Sequence, residues 1–339
     1  MRRWGALAAA IGVLLLPTAC SASGTAATST GEPGTVSATG APKRIAFFGF
    51  AKANSFATAT FTGVEQYAKA HNATAQFFDP NFDAQTQVRQ IQDAITSKRF
   101  DVFIIQANDG NAVQLPVQAA LAAGIPVVAV FTPIGPRFDT AEPQLPGVVS
   151  LVDVPTDNGT KLGSLAIKAC AATKTKPCRV AYLEGMKALP LDNARTKAVK
   201  DTLKAAGPDI QLVADVEGGY TQQSGRTAMQ DVLQAHPDVN VVIGSTQAIA
   251  GAEPVAEGKS IAFVANGGSH QAVNAVKQSR WFGLYYVPPT TMGSKAAALG
   301  LDKARGVSVP TTLAVTDLVP HAGEATFESL QDLTGEYDE

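Results

Sequence analysis

From Arg44 onward, apolar and polar positions fall into alternating blocks of two kinds. Arg44 to Phe48 (RIAFF) is a short apolar run between Pro42 and Gly49, the pattern of a strand buried on both faces. Beyond it, Phe56, Thr60, Gly63, Val64, Tyr67 and Ala68 share one face of a helix that starts near Asn54. Asn54 suits an N-cap, because its side chain accepts a bond from a free backbone N–H. Strands are predicted over Thr74–Asp79, Asp101–Gln106, Ile125–Phe131 and Gly147–Val152, with helices over Asp83–Lys98 and Ala112–Ala123 between them. A second series follows. Its strands are Cys178–Gly185, Ile210–Val216, Val239–Gly244, Ile261–Ala265, Phe282–Val287 and Thr312–Leu318. Its helices are Asp157–Ala172, Asn193–Ala206, Gln223–Ala235, Gln247–Glu257, Gln271–Gln278, Thr290–Arg305 and a last one near Glu324–Leu330. Alternation at this spacing means βαβ crossovers and parallel sheets covered on both faces, an α/β fold.

Two loops stand out. Phe50 to Ala53 lies at the carboxyl end of the first strand, where open α/β sheets bind ligands. Phe131 to Gly147 holds four prolines and is an irregular loop, again after a strand.

The first residues differ in kind. Met1-Arg2-Arg3 is basic, and Gly5 to Leu16 is an apolar stretch too short to span a bilayer. Leu16 to Cys20 (LPTAC) closes it. This resembles a bacterial lipoprotein signal, cut before a cysteine, here Cys20, that then carries lipid. Pro17 stands where that pattern commonly has leucine. The alternative is an ordinary secretory signal with an incidental cysteine; either way the mature chain leaves the cytoplasm. Ser21 to Pro42, rich in Gly, Ser, Thr and Ala, reads as a flexible tether of about 25 Å.

The composition, 45% hydrophobic and 17% charged, is that of a folded protein. A formal net charge of −2 with no basic run gives no electrostatic footprint for nucleic acid. In an exported chain, Cys170 and Cys178 are expected to form a disulfide. A metal site is disfavoured: no His lies near those cysteines, and His71, His236, His270 and His321 are scattered.

Enzyme motifs fail on their spacing. Gly258-Lys259-Ser260 ends like a phosphate loop, but Glu253 replaces the first glycine and the string precedes a strand. Gly267 to Gln271 sits at a strand-to-helix turn like a nucleophile elbow, yet Gln271 replaces the last glycine. No GxGxxG follows the first strand. Neither catalysis nor a cofactor is expected.

Seven strings in order carry a resemblance. They are NSF at Asn54–Phe56, IIQANDGNAV at Ile104–Val113, AAGIPVV at Ala122–Val128 and VSLVDVPTDNGTKLG at Val149–Gly163. LEG at Leu183–Gly185, DVLQAHPDVNVVIGST at Asp231–Thr246 and MGSKAAALGLDKARG at Met292–Gly306 complete the set. The chain resembles the type I periplasmic solute-binding proteins of ABC importers, closest to the ribose- and galactose-binding group, over about Lys43 to Leu318.

The resemblance implies two doubly wound parallel-sheet lobes joined by a three-strand hinge. Lobe one would be 43–152 plus 288–313, and lobe two 153–287 plus 314–339, after a signal at 1–20 and a tether at 21–42. A small molecule would bind between the lobes of a monomer. ABC permease and ATPase subunits would be its partners, and a lipid anchor its tie to the membrane. A ligand sensor of the same fold, signalling to a membrane receptor, is the alternative. A regulator would carry a DNA-binding motif where the export signal stands.

Matched position by position, the family's binding set falls on Asn54, Phe56, Gln106, Phe131, Thr132, Asn193, Arg195, Tyr220, Thr246, Gln247, Asn266 (or Gly267) and Tyr286, beside Val287. Simpler readings stand next to these. Phe56 and Tyr220 fit core positions, Phe131 ends a buried strand, Asn54 fits a cap, and Arg195 fits a solvated helix face. The sugar binders' Asp-Arg pair is replaced by Phe131-Thr132, and their Asn-Asp by Thr246-Gln247. Without carboxylate acceptors, several hydroxyls of a pentose would be weakly paired. A less polar ligand is expected: a deoxy or methylated sugar, a cyclic polyol, or an aromatic or otherwise apolar molecule.

Overall fold

The computed structural model of the chain describes residues 41–330 and 332–339. The signal segment, Cys20 and the tether as far as residue 40 lie outside the described residues. In chain order the elements begin β1 (Lys43–Phe48), α1 (Ser55–Ala70), β2 (Ala73–Phe78), α2 (Ala84–Ser97), β3 (Val102–Ile105), α3 (Gln114–Ala122), β4 (Val127–Phe131) and β5 (Val149–Val152). They continue α4 (Pro155–Thr173), β6 (Cys178–Glu184), α5 (Pro190–Ala205), β7 (Ile210–Glu217), α6 (Gln222–Ala235), β8 (Val241–Ser245) and α7 (Thr246–Ala252). The last are β9 (Ala262–Asn266), α8 (His270–Lys277), β10 (Gly283–Tyr285), α9 (Pro289–Ala304), β11 (Thr312–Ala314) and β12 (Glu324–Thr326).

Among the described residues the strands form two six-stranded sheets, in the orders β11-β5-β4-β3-β1-β2 and β12-β10-β9-β8-β6-β7. Each is the centre of one lobe. All pairings are parallel except β10 with β12. The continuous apolar runs of the sequence become strands buried on both faces: every residue of β3, β4, β5 and β8 is buried. The chain passes from one sheet to the other three times, after β5, after β10 and after β11. That is the α/β, two-lobed architecture expected from the sequence.

Packing explains one glycine pair. On α1, a Cβ at Gly63 would lie 1.9 Å from the Thr290 carbonyl; on α9, one at Gly293 would lie 1.9 Å from the Thr60 carbonyl. Only glycine lets these two helix backbones touch. Asn54 caps α1 as expected, its side chain accepting from Ala57 N at 2.8 Å. Cys170, near the end of α4, is joined to Cys178 at the start of β6, with Cα atoms 5.7 Å apart.

Three local expectations need correction. Helices α4 and α5 start at Pro155 and Pro190, ahead of the expected Asp157 and Asn193, because proline's fixed φ suits the first helical position. The expected strand Thr312–Leu318 ends at Ala314 and turns into a 3-10 segment, with Asp317 Oδ2 accepting from Ala314 N at 3.1 Å. The expected helix Glu324–Leu330 is instead β12. It pairs antiparallel along the edge of β10, where Ala325 is buried, and Ser329 Oγ turns the chain by accepting from Thr326 N. Closing an exposed parallel edge outweighs local helix propensity here.

Candidate functional site

The carboxyl ends of both sheets face one narrow cavity of about 40 Å³, partly open to solvent. Lobe one supplies Phe50, Asn54 and Phe56 from the β1–α1 loop and first turn of α1. It adds Phe82 from the β2–α2 loop and Phe131 from the end of β4. Lobe two supplies Leu189, Leu191 and Arg195 from the start of α5, and Tyr220 from the β7–α6 loop. Gln247 opens α7, and Asn266 and Gly267 end β9. Val287 comes from a crossing segment, and Tyr337 from the stretch beyond β12.

The aromatic side chains form a connected wall. Phe131 lies 4.8 Å from Phe56 and 6.1 Å from Phe50, ring centre to ring centre. Phe82 of lobe one lies nearly parallel to Tyr220 of lobe two, with centres 6.4 Å apart. Phe82 and Phe131 both have left-handed backbones, with φ of 62° and 66°. For a bulky side chain that conformation costs about 1–2 kcal/mol, and such strain concentrates at binding sites. At Phe131 it is held by Thr132 N on the Val130 carbonyl and by Asp153 N on the Phe131 carbonyl, at 2.8 and 3.0 Å.

Arg195 is the charged centre of the cavity. It is buried, and its guanidinium stands 6.0 Å from the centre of the Phe131 ring, a cation–π contact between the lobes. Its Nη1 donates to Asp192 Oδ1 at 2.8 Å and to the Tyr220 hydroxyl at 3.3 Å. Nε and Nη2 are buried without a protein partner. Burial works against the cation, but Tyr220 and Asp192 outweigh it and hold the pKa above its ordinary value. Asp192 also accepts from Tyr220 at 2.5 Å and, through Oδ2, from Met186 N at 2.8 Å. Burial raises its pKa against the pull of Arg195.

A second buried acid sits at the hinge. Asp153, just after β5, accepts from the Tyr285 hydroxyl of β10 at 2.6 Å and from Asn158 Nδ2 at 2.6 Å. Burial lifts its pKa, opposed by Tyr285, Arg195, Asn158 and Lys161. Asn158 Nδ2 also reaches Asn266 Oδ1 at 3.3 Å. Both acids are therefore satisfied within the protein. Among the described residues no cluster of His, Cys, Asp and Glu is placed to hold a metal ion.

A sequence profile described as the periplasmic binding protein domain matches residues 45–307. The chain belongs to this family. The ribose import binding protein RbsB of Bacillus subtilis is 26% identical over 263 residues, covering 77% of this chain and 81% of that protein. A xylitol-binding protein of Mycolicibacterium smegmatis is 26% identical over 316 residues, covering 91% of this chain and 82% of that one. In fold, the chain is similar to the crystal structure of an ABC transporter solute-binding protein from Mycobacterium smegmatis with bound glycerol. That match has a TM-score of 0.69 at 24% identity and covers 88% of this chain and 99% of the other. Proteins of this family capture solutes for ABC transporters outside the cytoplasm and are not enzymes, so the cavity is a place for gripping a guest.

The family frame shows where the expected site residues went. The structure brings Asn54, Phe56, Phe131, Arg195, Tyr220, Gln247 and Asn266 to the cavity wall. Others lie off it. Gln106 is buried inside lobe one and donates to Thr60 Oγ1 at 3.0 Å. Thr132 is buried behind Phe131. Asn193 faces solvent and donates to the Lys187 carbonyl at 3.0 Å, because α5 presents Arg195 inward instead. Thr246 is buried 3.2 Å from the Tyr337 hydroxyl, and the Tyr286 hydroxyl donates to the Thr334 carbonyl at 2.8 Å. Lining residues that the sequence did not single out are Phe50, Phe82, Leu189, Leu191 and Tyr337. Phe50 and Phe82 follow strand ends, so the carboxyl-end rule marks their loops. Tyr337 lies beyond the matched region and carries no such signal.

Proposed function

We propose that the protein is an extracytoplasmic solute-binding subunit that captures a small uncharged molecule, sugar-like or less polar, in the interlobe cavity for an ABC importer. One observation carries this reading: Arg195 has two buried donors without a protein partner, in a wall otherwise made of aromatic rings, aliphatic side chains and neutral amides. A guest must therefore offer one or two acceptor oxygens to Arg195 and an apolar face to Phe56, Phe82, Phe131 and Tyr220. Among the described residues no Asp or Glu lines the cavity, and the two buried acids described above, Asp192 and Asp153, are spent on protein donors, so the wall offers no carboxylate to collect many hydroxyls. Deoxy or methylated sugars and compact apolar oxygenates meet these demands better than an unmodified aldose. Relatives named for ribose and xylitol support the sugar-or-polyol range.

In this reading Asn54, Phe56, Phe131, Arg195, Tyr220, Gln247 and Asn266 contact the guest. The lobes, 43–152 plus 288–313 and 153–287 plus 314–339, close about the three crossings. Cys20 carries lipid, and the monomer presents its closed form to the permease and ATPase subunits. Native mass spectrometry of the purified protein would identify a retained guest by mass. Calorimetry against a panel of sugars and polyols would rank candidates. Tight binding of unmodified ribose or galactose, with weaker binding of the less polar compounds, overturns the ligand class.

A further inference from the structure

The segment from Gly335 to Glu339 lies beyond the family match, which ends at residue 307. It runs through the junction of the two lobes and touches both. On lobe two, the Tyr337 carbonyl accepts from His270 N at 2.8 Å, Glu336 N donates to the Gly268 carbonyl at 2.9 Å, and Glu339 N donates to Gln271 Oε1 at 3.2 Å. Gly335 fits flush against the start of α8: a Cβ there would lie 2.2 Å from His270 N. On lobe one, the Glu336 carboxylate accepts from Thr290 N at 2.7 Å and Thr291 N at 3.1 Å, at the positive end of α9. Glu339 Oε2 accepts from Ser55 Oγ at 3.3 Å, and Ser55 in turn accepts from Gln247 of lobe two at 3.0 Å. Between these anchors the Tyr337 ring enters the cavity wall. Its hydroxyl is 3.2 Å from Thr246 Oγ1, and its ring lies edge-on to Phe56 with centres 6.3 Å apart.

We infer that Gly335–Glu339 is a strap across the cleft, and that Tyr337 is the specificity-determining residue it inserts into the ligand cavity. This deepens the proposed function, since it rests on the same cavity. The strap is anchored by backbone bonds to lobe two and by two carboxylates to lobe one, so it favours the closed arrangement. A guest reaching the Phe56 side of the cavity meets the Tyr337 ring, which sets an upper limit on its size. Removing the ring opens that end to larger guests while leaving Arg195, Phe131 and Tyr220 in place.

The test compares wild type, Tyr337→Ala, Tyr337→Phe and a form lacking residues 335–339. Calorimetry is run with glycerol, xylitol and myo-inositol, and small-angle scattering without any ligand. The strap predicts that Tyr337→Ala shifts the affinity ratio of myo-inositol to xylitol toward the ring by about tenfold or more, while Tyr337→Phe keeps it within about threefold. It also predicts a larger radius of gyration once residues 335–339 are removed. A ratio unchanged within about twofold in Tyr337→Ala, or an unchanged radius, overturns the inference. If none of the three compounds binds any form, polyols are excluded as guests, and the radius alone decides for or against the strap.

Discussion

Arg195 Nη1 and Asp192 Oδ1 lie 2.8 Å apart, one turn from each other on α5, both buried. The contact uses one end of the guanidinium and leaves Nε and Nη2 without a protein partner, the two donors that the proposed function assigns to a guest. Asp192 thereby fixes the fork and neutralises its charge, so a neutral guest can be held without importing a counter-ion. Arg195→Lys keeps the charge and loses the fork. Affinity for whichever guest is retained should fall about 10- to 100-fold by calorimetry, the range for hydrogen bonds from a charged donor. Arg195→Leu should also cost about 3–5 kcal/mol of stability in urea unfolding, because it leaves Asp192 buried without its cation.

Phe82 is only half buried and faces Tyr220 across the cleft. Phe82→Ala should weaken ligand binding about three- to tenfold through the lost aromatic face. Calorimetry checks the affinity. Thermal melting should move little compared with a core truncation such as Phe47→Ala, where the ring is fully buried.

The hinge acid Asp153 has a pKa raised by burial. A raised carboxyl binds its proton more tightly in the folded state than in the unfolded one. Its contribution to stability is therefore fully present below the ordinary aspartate value of about 4 and is lost as pH rises through the higher folded value. The Asp153→Asn variant lacks this titration. Urea unfolding of both proteins across that window should show wild type losing stability with rising pH relative to the variant. Parallel pH profiles would contradict the assignment.

The contact between α1 and α9 sets the shape of lobe one. Gly293→Val places side-chain atoms against the Thr60 carbonyl and should destabilise by at least about 1–3 kcal/mol in chemical unfolding. The disulfide acts through the unfolded chain. Replacing Cys170 and Cys178 by serine should lower the unfolding free energy by about 2–3 kcal/mol, the entropy of so short a loop.

The sequence reading reached the sheets and their order of helices because buried parallel strands leave continuous apolar runs, as at Arg44–Phe48 and Ile125–Phe131. It misassigned Glu324–Leu330 because a strand of three residues pairing only at an edge leaves no periodic signature. Matching by position marks both Asn193 and Arg195, and only Arg195 reaches the cavity, since helical rotation, not numbering, decides which side chain faces the cleft. Phe82 and Phe50 stood in loops that the carboxyl-end rule marks. Tyr337 was illegible: it enters the site through tertiary contacts with Thr246 and Phe56, far away in the chain.

The most direct test is a matched titration of the wild-type protein with ribose, galactose and their deoxy analogues. A cavity built from rings, aliphatic side chains, amides and one forked cation should bind each deoxy sugar at least about tenfold tighter than its parent aldose. If ribose or galactose binds tightest of the set, the cleft does not select against dense hydroxyls, and the proposed ligand chemistry is wrong.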